Sequence, residues 1–177
     1  LVNSIRIIVA KQDLVGTIIT NEFVPDPVND PITIKTKSGL YDVFVITNEA
    51  NDLGASLDIL RDAKTIEEVK NAVIPFNLNQ RPETNIPMIG EVRDVRIVAP
   101  TVGGPSETNP ANVIVAGVNK GNILPVSVTR LAVKIDLVLL SKSFGLFESA
   151  TITNIPDGVY LFESPYEEGN KQSIALS

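Results

Sequence analysis

The sequence contains neither cysteine nor histidine. Without cysteine no disulfide forms, and no thiolate is available as a nucleophile. Without histidine the commonest general base of acid–base catalysis is missing, as is the imidazole ligand of most zinc sites. The two absences together exclude zinc sites of the Cys/His kind and every catalytic arrangement that pairs serine or cysteine with histidine.

Aromatic residues and basic charge are also scarce. Aromatic side chains form 5% of the chain and tryptophan is absent, so the core must consist mainly of valine, isoleucine and leucine, of which valine and isoleucine favour strands. The 15 basic and 21 acidic side chains give a formal net charge of −6. Because an acidic chain without a basic, aromatic-rich stretch repels phosphates, we predict no binding to nucleic acid. An apolar fraction of 44% is nevertheless enough for a folded core.

No apolar run approaches the roughly 20 residues that cross a bilayer as a helix. The longest run lies around Val133–Leu140 and is interrupted by Lys134 and Asp136. The chain starts at Leu1 rather than at methionine, and we therefore expect that an upstream segment has been removed.

Alternating apolar residues predict at least seven short β-strands. In Ser4–Ala10, Ile5, Ile7 and Val9 share one parity. Tyr41–Thr47 is apolar at both parities, which is typical of a strand in the middle of a sheet. The other predicted strands are Thr17–Phe23, as the returning arm of a hairpin, then Ile32–Lys37, Glu91–Ala99, Asn112–Val118, Ala150–Asn154, Val159–Phe162 and Ser173–Ser177.

One region has helical periodicity instead. Leu57 and Leu60 stand at helical spacing, and Thr65–Glu68 (TIEE) is a capping box, in which Thr65 and Glu68 satisfy each other's free backbone amides. We therefore predict two short helices, at Asp52–Ala63 and Thr65–Val73. They form an insertion between strands at about residues 52–73.

The longest strand signal is Leu124–Leu140. Its apolar parity switches within the run, which predicts a β-bulge near Thr129–Arg130. Short strands joined by turns, with one helical insertion, indicate an all-β fold and a β-sandwich, with a barrel as the alternative. We predict one sandwich domain at residues 1–162, followed at residues 163–177 by a linker and the truncated start of a second domain.

Carboxylates offer a remaining route to catalysis. Glu67-Glu68 belongs to the capped helix, whereas Glu167-Glu168 lies in the predicted linker. Solvated surface positions explain both pairs better than general acid–base catalysis does. We therefore predict no catalytic residues and no enzymatic activity, the enzymatic alternative being a glycosidase that uses two carboxylates.

Two further constellations suggest a metal site or a covalent cross-link. Asp26, Asn29 and Asp30 carry oxygen ligands suited to calcium, but their spacing departs from that of an EF-hand loop, and turn formation explains them better. Lys134 near Asp136 is suited to an isopeptide cross-link, although two outward positions of an alternating strand give the same pattern. We predict no metal site and no cofactor.

Four segments of the chain together resemble the fimbrillins of Bacteroidales, the subunits of type V pili. The segments stand in the family's order and span most of the chain, and the helical insertion follows the second of them. They are Ser4–Ala10 (SIRIIVA), Ser38–Glu49 (SGLYDVFVITNE), Val128–Leu137 (VTRLAVKIDL) and Ile155–Leu161 (IPDGVYL).

The resemblance implies a transthyretin-like or Ig-like Greek-key β-sandwich and a structural role at the cell surface. Fimbrillins are exported as lipoproteins, and only the precursor carries the lipid anchor to the outer membrane. Cleavage after an arginine then removes the first strand and leaves an apolar groove. The C-terminal strand of the next subunit fills this groove by donor-strand exchange. The implied partners are other fimbrial subunits and, in adhesion, host glycans or proteins.

Candidate walls of such a groove are aliphatic side chains of the first and longest predicted strands. They are Ile5, Ile7, Val9, Leu131, Val133, Ile135, Leu137 and Leu139. Ordinary core packing between two sheets is the alternative interpretation of these residues. The alternative function is a monomeric carbohydrate- or protein-binding adhesin, for which the chain offers only three tyrosines and six phenylalanines as stacking platforms.

Overall fold

The computed structural model describes residues 2–27, 31–49, 57–75, 86–131, 150–156, 158–162 and 171–176. The strands in these ranges are β1 (Ser4–Lys11), β2 (Ile18–Pro25), β3 (Gly39–Thr47), β4 (Val73–Pro75), β5 (Met88–Val98), β6 (Asn112–Val115), β7 (Val118–Asn119), β8 (Thr129–Arg130), β9 (Ala150–Pro156), β10 (Gly158–Tyr160) and β11 (Lys171–Leu176). The helices are α1 (Asp58–Arg61) and α2 (Ile66–Lys70). Neither of these two described helices has the length and apolar surface that crossing a bilayer requires.

Seven strands form one antiparallel sheet, in the order β2-β1-β3-β5-β6-β7 with β8 also beside β5. The predicted all-β fold and the hairpin of β1 and β2 are therefore confirmed. The middle position predicted for Tyr41–Thr47 is confirmed as well, since β3 pairs with β1 on one side and with β5 on the other.

Two smaller sheets accompany the main one. Strand β4 pairs with β10, and β9 pairs with β11, both antiparallel. Strand β11 confirms a strand near the predicted Ser173–Ser177. The predicted division into two domains at residue 162 stays a prediction.

The main sheet carries a separate apolar core on each face. We call face A the side that carries Ile8 and Phe44, and face B the side that carries Val9 and Val43. All four side chains are buried. Successive residues of a strand point to opposite faces, so β1 and β3 supply both cores with alternate side chains. The two-sided apolar pattern of Tyr41–Thr47 thus reflects burial on both faces.

Face A is covered by the helices and by the residues that follow β10. Leu60 of α1 and Val69 of α2 are fully buried against it. Phe162 meets Phe44 edge to face, with ring centroids 5.4 Å apart and an angle of 86° between the planes. The packing therefore joins segments far apart in the sequence.

The predicted capping box is confirmed at the start of α2. The Thr65 hydroxyl accepts a hydrogen bond from the Glu68 amide (3.3 Å), and the Glu68 carboxylate accepts one from the Thr65 amide (3.3 Å). The predicted C-terminal boundary at Val73 is wrong, because α2 ends at Lys70 and Val73 begins β4. Helix α1 confirms only residues 58–61 of the predicted 52–63, and residues 52–56 lie outside the described part.

Face B is covered by two extended segments that join no ladder. Ile34 and Leu124 pack against its core. The strand predicted at Ile32–Lys37 is wrong, because this segment lies over the face instead of pairing along an edge. Its alternating pattern is real, since half-buried and exposed residues alternate from 32 to 37. A strand also needs a neighbouring backbone to hydrogen-bond with, and the alternating pattern does not show whether one is present.

Two further strand predictions need correction. Asn112–Val118 is not one strand, because the chain turns at Ala116 and Gly117, whose φ angles of 49° and 78° fit the tight turn joining β6 to β7. Of the described residues 124–131 of the predicted strand Leu124–Leu140, residues 124–128 form no ladder, and Thr129 and Arg130 pair with β5 as β8. Residues 132–149, including Lys134 and Asp136, lie outside the described residues.

Candidate functional site

The structure separates the predicted groove residues that it describes. Ile7 and Val9 pack in the core of face B, and Ile5 on the same face is half-buried. Leu131 packs instead against the core of face A. Four of the predicted residues lie outside the described part: Val133, Ile135, Leu137 and Leu139. Contact of any of the eight with a donated strand stays a prediction.

Strand β1 lies between β2 and β3, and both of its backbone edges are paired. A foreign strand that extends the sheet next to β1 must therefore add beyond β2. Strand β2 is terminal in the described main sheet, and its outer edge is the candidate site.

The direction of the backbone groups of β2 follows from one hydrogen bond. The Asp26 amide donates to the Asn3 carbonyl (2.9 Å), which makes these two residues a hydrogen-bonded pair. Hydrogen-bonded pairs alternate with non-hydrogen-bonded pairs in an antiparallel ladder. With the observed register, Val24 and Glu22 therefore direct their N–H and C=O groups toward β1.

The intervening residues direct their backbone groups outward. Asn21 and Phe23 each present one N–H and one C=O at the outer edge, and none of these four groups has a partner among the described residues. Pro25 has no N–H and ends the series. The open edge, defined as Asn21–Pro25, offers a short template for another strand.

The beginning of β2 is covered by the chain itself. The Ile18 amide donates to the Lys64 carbonyl (2.9 Å), and the Thr20 hydroxyl donates to the Lys35 carbonyl (3.3 Å). These contacts confine the free part of the strand to the open edge.

A buried ion pair fixes the side of the open edge that faces the helices. Arg6 and Glu49 are each 1% exposed and form a bidentate pair, with Nε–Oε2 and Nη2–Oε1 distances of 2.7 Å. The Arg6 guanidinium also donates to the Asn21 side-chain oxygen and lies 5.4 Å from the centre of the Phe23 ring. The Asn21 amide group donates in turn to the Leu60 carbonyl (2.9 Å). Both outward-facing residues of the open edge are therefore held in place.

On face B the open edge adjoins an incompletely buried aliphatic row. Val24 on β2 lies opposite Ile5 on β1, and Met88 on β5 continues the row across Thr47 of β3. Val24, Ile5 and Met88 are half-buried. A strand added at the open edge would remove further apolar surface from water at Val24.

A second surface lies at the opposite end of β1. A cleft of about 590 Å³ is bordered by the hairpin tip with the exposed Leu14 and by Asp42 and Arg93. Burial alone would raise the pKa of the Asp42 carboxyl, but hydrogen bonds from Gln12, Arg93 and the Asp94 amide outweigh it and hold the pKa below its usual value. Gln12 also donates to Asp94, and Arg93 also donates to Glu91. The carboxylates of Asp42, Asp94 and Glu91 thus accept hydrogen bonds from side chains of the protein itself, which is typical of a structural network.

The described residues contain no group of three or more acidic side chains that could hold a metal ion. Of the calcium candidates, Asp26 is exposed with φ of 45°, while Asn29 and Asp30 lie outside the described residues. Glu67 and Glu68 both lie in the first turn of α2, where Glu68 serves the cap.

The sequence pattern predicted β2 but not its terminal position in the described main sheet, because the residues of one strand do not indicate the order of strands in a sheet. It also missed the Arg6–Glu49 pair. The available signal was Arg6 itself, a charge at the same parity as Ile8 in an otherwise apolar strand.

No protein-family model, curated protein or solved structure matches the chain. Function is therefore inferred from the geometry of this molecule.

Proposed function

We propose that this chain is a structural subunit of a bacterial cell-surface fimbria and takes up an extended strand of a neighbouring subunit at the open edge. The observation that carries the proposal is the set of four outward backbone groups of Asn21 and Phe23 without partners in the described structure. Strand addition satisfies such groups and buries adjacent side chains in one step.

The open edge is short, so the binding free energy that it can supply fits one of several contacts between two subunits. Four new backbone hydrogen bonds contribute about 0.5–1.5 kcal/mol each. Completing the burial of Val24 adds up to about 1–2 kcal/mol, against the cost of ordering the incoming strand. Because Arg6 and Asn21 already hold β2 in place, little of that cost falls on the acceptor.

The proposed architecture is the transthyretin-like Greek-key sandwich with donor-strand exchange that the sequence resemblance implies. In support, the sheet is antiparallel and buried on both faces, and the residues after β10 pack on face A. Contribution to adhesion and the surface location belong to the same proposal.

Hydrogen exchange tests the proposal with a control built into the strand. In the isolated domain the amides of Asn21 and Phe23 should exchange fast, because they face outward. Those of Glu22 and Val24 should exchange slowly, because they bond β1. In the assembled protein all four should be protected. The proposal fails if Asn21 and Phe23 are already protected in the isolated domain, or if assembly leaves them unprotected.

A further inference from the structure

One acidic side chain stands in the middle of the open edge. Glu22 is exposed and lies on face B, opposite Ile7 and between the outward residues Asn21 and Phe23. It forms no ion pair or side-chain hydrogen bond with the described residues, including Lys35 of the segment that contacts the start of β2. Its charge is therefore available to whatever strand adds there.

A second copy of the chain would meet this charge directly. Two β2 strands can pair antiparallel about a two-fold axis so that Asn21 of each copy bonds Phe23 of the other. That register uses all four outward groups of each copy and places Glu22 opposite Glu22 as a non-hydrogen-bonded pair. The Cα atoms of such a pair approach to about 4.5 Å, and like charges directly opposite each other destabilise the pairing.

The neighbouring symmetric registers are poorer for other reasons. Centring the pair on Asn21 extends it to Ile19, next to Ile18, whose backbone amide already donates to the Lys64 carbonyl. Centring it on Phe23 brings in Pro25, which has no N–H to donate. The edge therefore disfavours its own copy in each register that the open backbone groups allow, which is how charged residues protect edge strands.

We propose that Glu22 makes the open edge selective, so that it rejects a second copy of this chain and accepts an extended partner strand with a lysine or arginine opposite Glu22. This inference rests on the proposed uptake of a strand and names its chemistry. Val24, two residues along on the same face, adds a requirement for an aliphatic residue two positions from the basic one. In the antiparallel pairing described above, the residue opposite Val24 precedes the basic residue by two positions, so the partner strand is recognised by the pattern aliphatic–any–basic, written from the N-terminus to the C-terminus.

The strand itself supplies matched probes. One peptide has the β2 sequence Ile19–Pro25 (ITNEFVP) and represents a second copy, and the other carries lysine at the position of Glu22. Binding of each is measured by NMR titration to the wild-type protein, to Glu22→Lys and to Glu22→Gln. Because residue 22 is exposed, we expect all three proteins to fold, which thermal melts verify.

The wild type should bind the lysine peptide about ten-fold more tightly than the glutamate peptide, and Glu22→Lys should reverse the preference. Glu22→Gln should show no preference between the two peptides. High salt should reduce the preference of the wild type and of Glu22→Lys, because it screens the charges. Equal binding of both peptides to all proteins would refute the selectivity while leaving strand uptake intact. No binding of either peptide at millimolar concentration would overturn strand uptake at this edge as well. If a variant fails to fold, the two peptides on the wild type still decide.

Discussion

Removing one partner of the buried Arg6–Glu49 pair should destabilise the domain strongly. Both residues are 1% exposed, and both oxygens of Glu49 accept from Arg6 at 2.7 Å. Glu49→Gln would leave the guanidinium in the interior without its counter-charge, which costs about 3–5 kcal/mol. For a chain of this length each kcal/mol corresponds to about 2–4 °C in the melting temperature, so the expected decrease is roughly 6–20 °C.

The double variant separates this cause from simple loss of packing. Replacing both partners, as Arg6→Met with Glu49→Leu, leaves no unpaired charge and should cost much less than the two single changes added together. Urea denaturation of the wild type, both singles and the double yields the coupling free energy. Arg61→Met is the matched control, because its ion pairs with Asp58 and Asp62 lie at the surface, and it should leave the midpoint unchanged. The reasoning would be refuted if Glu49→Gln lost no more unfolding free energy than Arg61→Met. It would also be refuted if the double variant lost as much as the two single variants added together.

Two further predictions concern the sheet. A Cβ at residue 90 would lie 2.2 Å from the carbonyl oxygen of Ser127, so Gly90→Ala must displace the segment that covers face B. We expect the free energy of unfolding, measured by urea denaturation, to fall by about 1–3 kcal/mol. An unchanged midpoint would show that this contact is loose. The folded-state pKa of Asp42 is lowered, so its contribution to stability is present above the unfolded pKa of about 3.9 and is lost as the pH falls through the folded value. Asp42→Asn should accordingly be less stable than wild type at neutral pH and should lose part of the acid-induced decrease in stability, and parallel pH profiles of the two proteins would contradict the assignment.

Local patterns predicted the elements whose causes are local. The shared parity of Ile5, Ile7 and Val9 identified β1, because a period of two places every other side chain on one face, and the apolar residues at both parities of Tyr41–Thr47 identified β3 as a middle strand. The capping box identified the first turn of α2, since its hydrogen bonds join residues only three positions apart. Helix length was predicted less well, because Val73 pairs with Tyr160 in β4–β10, a contact that the local pattern does not show.

The errors occurred where a partner strand decides the outcome. Ile32–Lys37 alternates as a strand does, yet it lies over face B, where Ile34 packs against the core, and it pairs with no described strand. The turn at Ala116-Gly117 was missed, since alanine rarely adopts positive φ and gives no turn signal. Of the predicted groove residues, Ile7 and Leu131 lie on opposite faces, which parity within separate strands cannot reveal.

The residue pattern is sufficient to predict antiparallel β-structure built from aliphatic side chains, with one capped helical turn and without cysteine or histidine chemistry. The three-dimensional structure is needed to see that β2 is terminal in the described main sheet, that the backbone groups of Asn21 and Phe23 face outward there, and that Arg6 pairs with Glu49, forty-three residues away. The physical reason is that side-chain periodicity is a property of one strand. Strand order and backbone pairing are properties of neighbours brought together by burial of the two cores.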